Sequence, residues 1–169
     1  MIDSAFERLG IGASFTVDAA ELEHNYLEKS RLFHPDHQDE SGGLTVDQAL
    51  RASAALNEAY AIVADPIQRG EHLLALAGGP DAAADKRMPP EFLEAMLEWR
   101  EEAEEPSAHE KLSQVLEVEK SRLLERLGEE FVGLNKDASQ QSIRIKEVRQ
   151  TLNQLRSLRG LLRELAESY

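Results

Sequence analysis

Apolar residues recur every three or four positions through most of this chain, and the recurrence breaks at a few prolines and glycines. Residues 4 to 10 read as one or two helical turns closed by Gly10. Asp18-Ala19-Ala20-Glu21 then sets an acceptor three residues before a carboxylate, the signature of a capping box. Ala19, Leu22, Tyr26, Ser30 and Phe33 follow at helical spacing and predict one buried stripe. The pattern stops at His34-Pro35, and residues 34 to 44 are polar or Gly for most of their length. Thr45-Val46-Asp47-Gln48 is a second capping box, and Ala49, Ser53, Leu56, Tyr60 and Val63 make the next stripe. Ala64-Asp65-Pro66 ends it, with Pro66 suited to open a short helix carrying Leu73, Leu74 and Leu76. Gly78-Gly79-Pro80 stops that helix.

Beyond residue 90 the helices lengthen. Pro90-Glu91 starts one with Phe92, Leu93, Met96, Leu97 and Trp99, broken at Pro106-Ser107. A long stripe follows through Leu112, Val115, Leu116, Leu123, Leu127, Phe131 and Leu134. Another runs through Ile145, Val148, Leu152, Leu155, Leu158, Leu162 and Leu165. Short connections between long amphipathic helices predict antiparallel neighbours. The expected architecture is all-α. An N-terminal helical domain spans 1–78, a Gly/Ala/Pro/Asp-rich connection 79–89, and an antiparallel three-helix bundle 90–169.

Composition narrows the function classes. There is no Cys, so disulfides, thiol nucleophiles and Cys-ligated zinc or iron–sulfur sites are excluded. Net charge is −13, from 19 basic and 32 acidic residues, which argues against nucleic acid or an anionic membrane as partner. No apolar run is long enough to span a bilayer, and the first residues lack the features of a targeting peptide, so a cytoplasmic location is expected. Residues 91 to 105 hold seven Glu and one Arg, whereas 142 to 163 hold six Lys or Arg and one Glu. The two segments could pair their charges in the bundle, or the acidic one could recognise a basic partner.

Two places carry candidate chemistry. Pro35 fixes its own φ, lacks an N–H and pushes His34 out of helical geometry, leaving an imidazole and a carboxylate on a rigid corner at a helix end. Such a corner suits docking on another protein. His34, Asp36, His37 and Asp39 could alternatively ligate a metal, although no second cluster converges on them from elsewhere in the sequence. There is no nucleophile elbow and no phosphate-binding Gly loop. The second place is a strip of Leu93, Leu97, Glu98, Glu101 and Glu105. It is free for binding if Phe92, Met96 and Trp99 face the bundle, and is simply core if they do not.

A helix closing on Phe33-His34-Pro35-Asp36, a loop, then Leu56-Asn57-Glu58-Ala59-Tyr60 resembles a J-domain, the co-chaperone module that stimulates DnaK-type ATPases. Asp65-Pro66-Ile67-Gln68-Arg69-Gly70 is similar to the J-domain ending, with Gly where Ala is usual. The runs Arg69 to Gly78 and Pro90 to Glu102 resemble one subfamily, the HscB-type co-chaperones of iron–sulfur cluster assembly. The resemblance implies no catalysis and no cofactor. It implies docking on a DnaK/HscA-type chaperone through His34, Pro35 and Asp36, with Lys29 and Arg31 assisting. It also implies an IscU-type scaffold protein held on Leu93, Leu97, Glu98, Glu101 and Glu105. Some positions depart from the pattern. Glu21, Glu23 and Glu28 oppose the cations of the helix before the loop, and His37 replaces a Lys or Arg. Glu94 stands at an apolar position, and Gln154 or a neighbour stands where an aromatic is expected to touch the scaffold.

Overall fold

A computed structural model of the chain describes residues 4–33, 44–134 and 140–167. The helices are α1 (Ala5–Leu9), α2 (Ala19–Leu32), α3 (Val46–Ala64), α4 (Pro66–Leu76), α5 (Pro90–Glu102), α6 (His109–Leu134) and α7 (Gln141–Glu167). A 3-10 turn, Pro106–Ala108, separates α5 from α6. No strand occurs among the described residues. Two compact units result, Met1–Leu73 and Leu74–Tyr169.

Of the two capping boxes the sequence places in the first unit, the one at Thr45 closes, whereas Asp18 makes only the N-cap half. Asp18 accepts from the backbone N–H of Ala20 at 2.8 Å and of Glu21 at 3.3 Å. The Thr45 hydroxyl accepts from Gln48 N–H while the Gln48 side chain accepts from Thr45 N–H, closing a capping box. Ser4 and Glu7 do the same for α1. Asp65 ends α3 and opens α4, with one carboxylate oxygen accepting from Ile67 and Gln68. The core joins Phe6 and Leu9 of α1, Leu22 of α2, and Leu56, Ala59 and Val63 of α3. Ala19 and Ser30, expected on the α2 stripe, lie outside this core. Ala19 is exposed and Ser30 half-buried, so Leu22 is the only buried residue of α2.

His72, on α4, accepts a hydrogen bond from the Ala5 backbone N–H at 3.1 Å and lies beside the Phe6 ring. Only the neutral imidazole has a lone pair for that bond. Burial first, then the nearby Arg8 charge, hold its pKa below the ordinary value. The unfolded chain therefore takes up this proton more readily than the folded one. The contribution is complete above the unfolded pKa of about 6.5 and is lost as pH falls below it. Melting temperature should drop between about pH 7 and about pH 5, and His72→Gln should flatten the drop. An equally steep drop in the variant would assign the dependence to other groups.

In the second unit α6 and α7 pack along their length. Leu112, Leu116, Leu123 and Leu127 face Val148, Leu152, Leu155, Leu158 and Leu165, all buried. Two details differ from the expected stripes. Val115 is exposed, and Leu161 rather than Leu162 is fully buried. His109 is buried. Its Nε2 donates to the Ala103 carbonyl at 2.9 Å and fastens the end of α5 to the start of α6.

Residues 79–89, read from sequence as a connection, are anchored to α7. The Asn153 amide donates to the carbonyls of Asp85 and Arg87, both at 3.0 Å, and Asn153 Oδ1 accepts from the fully buried Arg149 at 3.0 Å. Ser157 lies against the Met88 sulfur. Hydrogen bonds from Arg87 are the main cause that draws the Asp85 carboxyl down to about 2. The α4 helix stops at Gly78, whose φ of 78° favours glycine.

Candidate functional site

The first surface is the α2–α3 hairpin. Its register is set by Tyr26, whose hydroxyl donates to Asn57 at 2.9 Å and whose ring lies 4.4 Å from that of Tyr60. The last turns of α2 and the first turns of α3 therefore lie toward the same end of the hairpin, and in sequence they flank residues 34–43. His34, Pro35 and Asp36, together with the metal alternative that adds His37 and Asp39, lie outside the described residues.

The two assisting cations have different surroundings. Arg31 is exposed on the last turn of α2. Lys29 turns back, and its ammonium donates to the Arg8 carbonyl at 2.6 Å, at the C-terminal end of α1. Gly10 makes this possible. It holds φ at 70°, and a Cβ there would lie 3.2 Å from the Lys29 nitrogen. Glu21, Glu23 and Glu28 are exposed, so the outer face of α2 has little positive character. Large apolar side chains are exposed instead: Leu27 and Leu32 on α2, and Val46 and Leu50 on the first turns of α3. Leu27, Leu32 and Leu50 fall off the buried stripes, and Val46 is exposed although it lies three residues before Ala49, so apolar spacing does not single them out. Their exposure is the signal, and it needs coordinates.

The second surface is α5. Phe92 and Met96 turn inward and are buried, and the Trp99 ring meets Phe92 edge-on with centroids 6.0 Å apart. Leu93 is 44% exposed and Leu97 65% exposed. The core alternative for these two is excluded. Glu94, Glu98, Glu101 and Glu105 are exposed beside them. One side of α5 thus carries two adjacent leucines within a field of carboxylates. Arg100 is engaged with Glu164 of α7 at 3.2 Å. Gln154 is not on this surface: it is 3% exposed, with Thr151 and Asn153 also buried. Among the described residues no group of three or more His, Cys, Asp or Glu could hold a metal ion, and no helix is long and apolar enough to cross a membrane.

A helical hairpin of this kind, followed by a three-helix bundle with an exposed Leu/Glu strip, defines a J-domain protein with an appended helical domain. Comparison with known proteins narrows the class. Residues 88–166 match the family model described as the HSCB C-terminal oligomerisation domain. The chain is similar to the protein named co-chaperone protein HscB homolog in Burkholderia multivorans, 33% identical over 133 residues, covering 75% of this chain and 76% of that one. It is also similar to that of Neisseria meningitidis, 30% identical over 146 residues, covering 82% and 88%. The match to the Paraburkholderia xenovorans homolog is 35% identical but spans 61% of that protein's length. Two solved structures share the fold. Human HscB has a TM-score of 0.79 at 23% identity, covering 98% of this chain and 81% of that one. HscB from Vibrio cholerae has a TM-score of 0.76 at 22% identity, covering 98% and 96%. The chain belongs to the HscB co-chaperone family.

Proposed function

We propose that this protein binds an IscU-type iron–sulfur scaffold on α5 and delivers it to a DnaK/HscA-type chaperone, whose ATP hydrolysis it stimulates through the His34-Pro35-Asp36 loop. The observation that carries the reading is the exposure of Leu93 and Leu97 among carboxylates, in a chain that also bears that tripeptide between α2 and α3. An apolar centre with a charged rim is the anatomy of a protein-docking surface. Here the rim fits a basic partner.

The mechanism is coupling rather than chemistry on this chain. Asp36 engages a basic group on the ATPase and favours its hydrolysis-competent state. The bundle holds the client nearby, so its capture by the chaperone occurs at high effective concentration. All of this is placed in the cytoplasm. A J-domain protein serving a different client would keep the same hairpin and use α5 otherwise. Calorimetry of the full chain with a purified IscU-type scaffold decides between them. Saturable binding at micromolar concentration supports the reading, and no heat with a folded scaffold sinks it.

Docking on the ATPase should depend weakly on salt. Lys29 is engaged with Arg8, Arg31 is opposed by three glutamates, and the flanking exposed side chains are aliphatic. Screening has little attraction to remove. Stimulation should fall less than about threefold between about 0.05 and 0.3 M salt, against the steep loss of a steered complex. A tenfold loss would show that charge governs the encounter.

A further inference from the structure

The helix that leads to His34-Pro35-Asp36 is held by little apolar burial. Leu22, the one fully buried side chain of α2, lies near its start, and Tyr26 and Phe33 pack on the core only in part. A helix of this length keeps a fixed position only through tertiary contacts. For the second half of α2 several of these contacts are polar. Tyr26 is tied to Asn57 of α3 at 2.9 Å. The other two ties run to the end of α1. The Asn25 amide donates to the Gly10 carbonyl at 3.4 Å, and one turn further on the Lys29 ammonium donates to the Arg8 carbonyl at 2.6 Å. Carbonyls at a helix end have no partner within the helix. The N–H groups of Gly10 and Ile11 turn back to Glu7 and Phe6, so Lys29 serves the Arg8 carbonyl from outside. The anchor is firm. Phe6 and Leu9 of α1 are buried, and His72 accepts from the Ala5 N–H at the other end of the helix.

We infer that Lys29, with Asn25, is a positioning residue for ATPase stimulation: the pair seats the second half of α2 on α1 and so fixes where the helix leading to the tripeptide ends. The inference rests on the docking function proposed above. Lys29 then acts through α1 and not as a cation met by the chaperone. Of the Lys and Arg residues of α2, that leaves Arg31, exposed on the last turn, to face a partner. The two roles differ in how they respond to charge. A contact made across solvent by charge weakens with salt, and neutralising a nearby carboxylate makes good its loss. A short bond from an ammonium to a backbone carbonyl is a local contact. Its loss is the same at any salt concentration, no change of net charge restores it, and removing its uncharged neighbour Asn25 acts in the same direction.

Full-length Lys29→Met, Lys29→Arg, Asn25→Ala and the double variant Glu28→Gln/Lys29→Met test this, at a temperature where melting shows each to be folded. Stimulation of a purified DnaK-type ATPase is read at about 0.05 and about 0.3 M salt. Amide hydrogen exchange is read over residues 5 to 11. Lys29→Met should speed exchange at the end of α1 at least about fivefold, the worth of one hydrogen bond. It should lower stimulation at least about threefold, by the same factor at both salt concentrations. Glu28→Gln/Lys29→Met, which has the net charge of the unsubstituted chain, should be no better. Lys29→Arg keeps a donor and should recover at least about half of the stimulation. Asn25→Ala should show the same pattern with smaller changes, and it keeps the test open should Lys29→Met fail to fold. A loss in Lys29→Met that shrinks at high salt, or that Glu28→Gln repairs, makes Lys29 a docking cation and overturns the inference. So does normal stimulation by Lys29→Met, or unchanged exchange in α1. Either result leaves the docking function standing, whereas failure of the unsubstituted chain to stimulate the ATPase overturns both.

Discussion

Asp36→Asn should abolish stimulation of a DnaK-type ATPase, down to the rate of the chaperone alone, without changing the melting temperature. The substitution keeps the size and shape of the side chain, removes its charge and turns one accepting oxygen into a donating NH2. A carboxylate docked against a basic group on a partner makes a charge-assisted bond, and truncating one member of such a pair costs about 2–5 kcal/mol. That corresponds to roughly a thirtyfold or greater loss of affinity for the stimulated state. The cost to folding should stay under about 0.5 kcal/mol, as for surface substitutions that break no named interaction. Full stimulation by the variant would mean that Asp36 is not the docking carboxylate, and the proposed mechanism would fail with it. The melting curve must be taken on the same preparation, since an unfolded variant also stimulates nothing.

The second large effect separates binding from packing within one bundle. Leu97→Ala should weaken scaffold binding by about 1–2 kcal/mol, roughly five- to thirtyfold, and leave stability within about 0.5 kcal/mol. Leu123→Ala should do the opposite. Its side chain is 1% exposed between α6 and α7, and truncation there should cost about 2–5 kcal/mol of stability. Glu101→Ala is a milder companion, since a rim charge is worth about 0–1 kcal/mol. Calorimetry with the scaffold and thermal melting together read all three. Normal binding by Leu97→Ala would remove the α5 strip from the interface. A large loss of melting temperature would contradict the exposure of Leu97.

The helices and their ends were legible in the sequence because they depend on local chemistry. Asp18, Thr45 and Asp65 cap through side chains that reach backbone groups two or three residues away, and such spacing is visible in one dimension. The inward turn of Phe92 and Met96, with Leu93 and Leu97 outward, was likewise readable from helical phase, once an assumption was made about which side faced the bundle. What escaped were contacts between segments distant in sequence. Lys29 reads as a free cation until α1 brings the Arg8 carbonyl to it. Asn153, Gln154 and Thr151 look like surface residues because they are polar, yet all are buried where other segments cover that part of α7. Apolar periodicity carries no information about buried polar residues, since their burial depends on partners elsewhere in the chain.

The anchoring of residues 85–87 to α7 bears on how the second unit can be cut out for separate study. A fragment beginning at residue 90 keeps all three helices of the bundle. It nevertheless removes the carbonyls of Asp85 and Arg87 and strips the Asn153 amide of both acceptors. Each polar group stranded in this way costs about 1–3 kcal/mol unless water reaches it. A fragment beginning at Leu74 retains the strap and the packing of that leucine on Gly79. The sound place to divide the molecule lies inside the α4 helix, upstream of the glycines that look like a hinge.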